Sequence, residues 1–138
     1  MADHQPYNPL IELVLNRDAR GNLLVGQAPD QLPFVPVRFF VVSGVPVDST
    51  RGTHAHRSCE QVLICLAGRV DVTSNDGTTL AEYTLEPSSH ALHIPPLVWG
   101  SQTYRTDDAI LLVLASQQYD TAEYITDFAE FESLTRTQ

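Results

Sequence analysis

The stretch RGTHAHRSCEQVLICLAGRVDVTSNDGTT, Arg51 to Thr79, decides how the chain folds. It opens with two histidines one residue apart, enters the apolar segment VLICLAG and arrives at Asn75-Asp76-Gly77. Asn, Asp and Gly tolerate the left-handed backbone of a tight hairpin, so this triplet predicts a turn between DVTS and LAEYTL. VLICLAG and the later ILLVLAS are continuous apolar runs, which periodicity alone cannot divide between buried strand and buried helix. Both are short and bounded by turn residues, and that decides for strand.

The pattern continues outward in both directions. Upstream, IELVL (Ile11–Leu15) and LLVG flank RDARGN, which predicts two strands around a turn. VRFFVVSGV, Val37 to Val45, is β-branched and aromatic and suits a strand. Downstream lie ALHIPPLVWG, SQTYRT, a turn at Asp107-Asp108, and AILLVLAS. About nine to eleven short strands at this spacing imply an all-β sandwich or barrel. The acidic, aromatic tail YDTAEYITDFAEF predicts a final helix or turn on the outside, with at most two short helices in all. The 138 residues fit one domain, drawn here over 10–132, with a leader at 1–9 and a tail at 133–138.

Composition narrows the partners. The formal net charge is −9, with only eight Lys and Arg. Nucleic acid needs concentrated basic charge and is excluded as the default partner. An anionic ligand would have to use a few placed arginines. No apolar run approaches the roughly 18 residues of a membrane span, and MADHQPYNPL lacks the basic region of a signal peptide. Cys59 and Cys65, if on one strand, stand roughly 20 Å apart, too far for a disulfide. Free thiols point to a reducing compartment, hence the cytoplasm.

His54 and His56 are i and i+2, so on a strand both face one side with β-carbons some 6–7 Å apart. Beside Arg51 and ahead of Glu60, they suit convergence on a metal ion or on a small substrate. The metal reading takes His54, His56 and Glu60 as a first ligand group, with a last histidine expected after Ile94-Pro95. Gly100 occupies that slot. Gln61 is expected on the strand face opposite His54, His56 and Glu60, unless a bulge intervenes.

The order RGTHAHRSCEQVLICLAGRVDV, NDG, LHIPPLVWG, AILLVLASQQYD and EYITDFAEF closely resembles the sugar 3,4-ketoisomerases of the cupin superfamily, the WxcM-like group. The likeness spans roughly residues 10–132, and DARGNL and PVRFFVV fit its beginning. It implies a cupin jelly-roll barrel, commonly paired as a strand-exchanging homodimer. It also implies a metal-free, cofactor-free shift of a ketone from carbon 4 to carbon 3 of a dTDP-linked 4-keto-6-deoxy sugar.

A histidine suits this chemistry, because its ordinary pKa of about 6.5 lets it take and return a proton near neutrality. His56 is read as the carbon base and His54 as its partner or the oxygen-to-oxygen shuttle. Arg51, Arg20 and Arg38 are candidates for the diphosphate or a sugar oxygen. His93 is read as a candidate ligand-edge residue or a satisfied barrel histidine, and Trp99 as core or barrel-rim packing, or as a rim aromatic able to stack on thymine. Tyr104, Tyr119 and Tyr124 are read as packing. Some relatives carry a tyrosine where this chain has Phe39-Phe40. A nucleotide-sugar epimerase, a non-catalytic sugar-binding cupin and a metal-dependent oxygenase remain alternatives at this point.

Overall fold

The computed structural model describes residues 8–136. Twelve strands follow one another: β1 (Leu10–Glu12), β2 (Val14–Asp18), β3 (Gly21–Val25), β4 (Arg38–Ser43), β5 (Ser49–His56), β6 (Gln61–Ala67), β7 (Val70–Asn75), β8 (Leu80–Leu85), β9 (His90–Ile94), β10 (Trp99–Tyr104), β11 (Ile110–Ala115) and β12 (Tyr124–Ile125). A 3-10 turn at Thr121–Glu123 precedes β12, and one helix, α1 (Phe128–Arg136), closes the chain. IELVL divides in two because the Leu13 N–H leaves the ladder and donates to the Ser89 carbonyl at 2.6 Å. β12 has two residues, too few for alternation to show. The leader expected at 1–9 lies outside the described residues except for Asn8 and Pro9, and α1 crosses residue 132.

The strands form two five-stranded antiparallel sheets, ordered β1-β9-β6-β11-β4 and β12-β5-β10-β7-β8, with β2-β3 as a separate hairpin. This is the all-β jelly roll expected. One core lies between the sheets and includes Leu63, Leu92, Tyr104, Leu111 and Val113. A second core, with Leu13, Leu32, Val62, Ile64 and Ala91, packs on the outer face of the first sheet. β6 is therefore buried on both faces along most of its length, and VLICL reads as an unbroken apolar run for that reason. The NDG loop is held by Asp76, whose Oδ1 accepts from the Thr78 and Thr79 amides at 2.9 and 2.7 Å. Gly77 there has φ +99°.

The outer face of the second sheet is covered by the C-terminus. Ala55, Ile125 and Phe131 are fully buried, with Leu97, Trp99 and Leu134 packed around them. Cys59, in the turn before β6, and Cys65, within it, are buried and free. Among the described residues no helix is long and apolar enough to cross a membrane.

Candidate active site

β5 pairs with β10, and a bulge in this pairing builds the site. Gly100 stands opposite His54 and Gln102 opposite Arg51, so three residues of β5 span what two of β10 span. On a regular strand Arg51 and His54 would face opposite sides, but the extra residue turns both inward. Gly52 supplies the bend with φ +68°, a conformation that glycine adopts without steric cost. A side chain there would also run into the Gln102 side-chain oxygen.

The result is a cavity of about 240 Å³ between the sheets, lined by Arg51, His54, Gln61, Gln102, Tyr104 and Tyr124, with Phe40, Val42, Leu111 and Val113 as apolar wall. The His54 and His56 rings meet edge to face at 4.8 Å, and Tyr124 lies 4.8 Å from the first and 4.7 Å from the second. Tyr124 arrives through β12, which pairs with the end of β5 at His56. The Glu123 carboxylate locks that pairing by accepting from the Ser58 and Cys59 amides at 2.8 and 2.7 Å. On the other side, the Leu97 amide donates to the His56 carbonyl at 2.8 Å. Leu97 holds φ +58° there, a left-handed conformation that an L-residue adopts at a cost.

Burial depresses the pKa of both histidines. His56 is 4% exposed, and its pKa falls to about 4. Burial is the main cause, His54 and Arg38 add to it, and Glu123 opposes it. Near neutrality His56 is therefore an uncharged imidazole. Its Nε2 is enclosed without a partner, as are Arg38 Nε and the Tyr104 hydroxyl. The pH dependence of stability follows. The unfolded chain binds this proton near pH 6.5, the folded protein only near pH 4. Stability is thus complete above pH 6.5 and is lost as pH falls toward 4, by about 3 kcal/mol at the limit. Urea midpoints of the wild type and His56→Asn between pH 7 and 4.5 should show this slope, and should show it shrinking in the variant.

The expected site residues divide into those the fold assembles and those it does not. Arg51 and His54 line the cavity, with His56 against His54. Arg38 shares the inward side of β4 with Phe40, its guanidinium 5.6 Å from the Phe40 and Tyr119 rings. Arg20 lies at the tip of the β2-β3 hairpin, its side chain 90% exposed and paired with Asp18 at 2.7 Å. His93 points to the outer face of the first sheet, beside Phe34, with its Nε2 2.8 Å from Glu60 Oε1. Trp99 faces outward from the second sheet and packs on Phe128 and Phe131 at 5.2 and 5.7 Å.

Glu60 and Gln61 exchange the places expected of them: Gln61 enters the cavity and Glu60 turns to His93. Residues 57–60 leave β5 and cross to the other sheet, so alternation counted from His56 does not carry through. Among the described residues no three His, Cys, Asp or Glu side chains converge as a metal ion would require.

The family model described as FdtA: WxcM-like, C-terminal matches residues 7–136. The chain belongs to this family. Similar to it, at 34% identity over 115 residues and 83% of each chain, is the TDP-4-oxo-6-deoxy-alpha-D-glucose-3,4-oxoisomerase of Aneurinibacillus thermoaerophilus. A histidine-to-asparagine mutant of the 3,4-ketoisomerase QdtA from Thermoanaerobacterium thermosaccharolyticum, solved with TDP-4-keto-6-deoxyglucose, superposes with a TM-score of 0.89 at 32% identity, covering 94% of both chains. WlaRA, a TDP-fucose-3,4-ketoisomerase from Campylobacter jejuni, gives 0.86 at 30% identity over 91% of this chain and 93% of its own. The fold is accordingly the cupin barrel of these enzymes.

Proposed function

We propose that this protein is a ketoisomerase that moves the ketone from carbon 4 to carbon 3 of a dTDP-4-keto-6-deoxyhexose, through an enediol, in deoxysugar biosynthesis. The observation that carries the reading is a histidine pair at a cavity between the sheets, His54 facing the space and His56 packed edge to face behind it at 4.8 Å. The cavity is smaller than the ~300–1,000 Å³ of typical ligand pockets, so it receives the sugar and leaves the nucleotide outside.

The ketone at carbon 4 acidifies the hydrogen on carbon 3. His54, the histidine that lines the cavity, takes that proton and delivers one to carbon 4 of the enediol, while the adjacent oxygens exchange a proton. Carbon and oxygen each end with one proton moved, and no electron acceptor is required. This division reverses the one expected from sequence, because the cavity exposes His54 and encloses His56. His56, with its pKa near 4, stays neutral beside the imidazolium that forms. Two adjacent cations would oppose each other. Arg51 and Arg38, reaching the inner face from different sheets, are the cations available to the diphosphate.

The test is incubation with dTDP-4-keto-6-deoxyglucose in heavy water after EDTA treatment, read by NMR. A ketone at carbon 3 with deuterium at carbon 4 supports the reading. A 4-ketone recovered with inverted, exchanged carbon makes the protein an epimerase. Binding without exchange makes it a sugar-binding protein.

We infer further that two copies pair. β4 is an edge strand, and its outward row exposes Phe39 at 69% and Val41 at 50%, with Val37 just before it at 56%. Such an apolar strip on an open edge is an association surface. Sedimentation should give a dimer for the wild type and a monomer for Phe39→Glu. We place the protein in the cytoplasm, as its two buried free thiols favour.

A further inference from the structure

We infer that the Gln61 amide, faced across the cavity by that of Gln102, holds the two sugar oxygens at the reacting edge and accommodates their exchange of roles; this rests on the ketoisomerase reading. Gln61 is 7% exposed and lines the cavity with His54. None of the side-chain hydrogen bonds among the described residues uses its amide, whose atoms are not among the enclosed, unpartnered ones and so stay open to the cavity. An amide turned into a cavity is satisfied by what the cavity receives. Gln102 comes from the opposite sheet and is seated against Gly52, which leaves room for its side-chain oxygen.

The chemistry selects an amide. Before the shift, the reacting edge presents a carbonyl, which only accepts, beside a hydroxyl, which can donate. Afterwards the two are interchanged. Arg51 carries donors alone, and His54, Tyr104 and Tyr124 each present a single ring nitrogen or hydroxyl to the space rather than a donor and an acceptor side by side. A glutamine amide carries one acceptor and a pair of donors side by side, which match an adjacent hydroxyl and carbonyl. Its terminal torsion is broad and roughly two-fold, so the amide can turn over as the ketone moves. Gln61 thus binds substrate and product on one surface.

Gln61→Met keeps length and removes both hydrogen-bonding groups. We expect kcat/KM to fall about 10–100-fold, TDP affinity to stay within about twofold because TDP lacks the sugar, and the thermal midpoint to hold or rise. Activity within about threefold of wild type overturns the assignment. So does TDP affinity falling in step with the sugar nucleotide, or a midpoint that drops with activity. If Gln61→Met does not accumulate as folded protein, Gln102→Met carries the same test. Wild type assayed alongside separates the two claims. Absence of a 3-ketone from wild type defeats the ketoisomerase reading and this one with it, whereas a normal wild-type product beside an unimpaired variant defeats only the amide assignment.

Discussion

Replacing His54 with Asn lowers kcat by about 10²–10⁴-fold, the contribution typical of a positioned general base, while the folded protein continues to bind TDP. Asn is smaller than His and polar, so the cavity is not closed and no charge is introduced. What disappears is the one imidazole that, among the described residues, lines the cavity. Exchange of the carbon 3 hydrogen with solvent should vanish with turnover, since both steps use the same nitrogen. His56→Asn makes a useful contrast. If it acts through its neighbour, the loss should be smaller and accompanied by a changed pH profile, because His56 lies 4.8 Å from His54 and is not part of the cavity lining. Near-normal exchange in His54→Asn would remove the histidine from the chemistry.

Much of this arrangement can be read from the chain before any coordinates. Strand alternation put His54 and His56 on one side, and the turn residues around VLICLAG and ILLVLAS settled strand over helix. The limits come where counting along a strand stops being valid. Gln61 and Glu60 follow His56 by five and four residues, but a turn and a change of sheet lie between, so their facing is set by the geometry of β6. Gly52 inside a strand pattern was a readable sign of a bulge, and it is the bulge that turns Arg51 inward. Gln102, Tyr104 and Tyr124 lie roughly 50 to 70 residues away from the histidines, and only pairing with β5 brings them close. Between packing and thymine stacking at Trp99, nothing local decides; the structure covers it with Phe128 and Phe131 of α1.

That cover has a large predicted effect of its own. Phe131→Ala should cost about 3–5 kcal/mol, the usual range for emptying a buried aromatic site. This is a large share of the ~5–15 kcal/mol that holds a domain of this kind together. Phe131 is fully buried against Trp99, Phe128 and the Ala55–Ile125 contact. Another tie between α1 and the barrel is the Arg57–Glu130 pair at 2.6 Å, with both side chains more than 40% exposed. An exposed pair is worth about 0–1 kcal/mol, so apolar burial and not the ion pair docks the helix. β12 is only two residues long and depends on that docking, and β12 carries Tyr124 against both imidazoles. The C-terminal unit should therefore open before the barrel does, as weakly anchored segments do. In Phe131→Ala, hydrogen exchange should accelerate over residues 123–136 and at Ala55 while β6 and β11 stay protected. Activity should fall at temperatures well below the main unfolding transition. A single cooperative melt with wild-type protection in the tail would mean that the helix does not support the site.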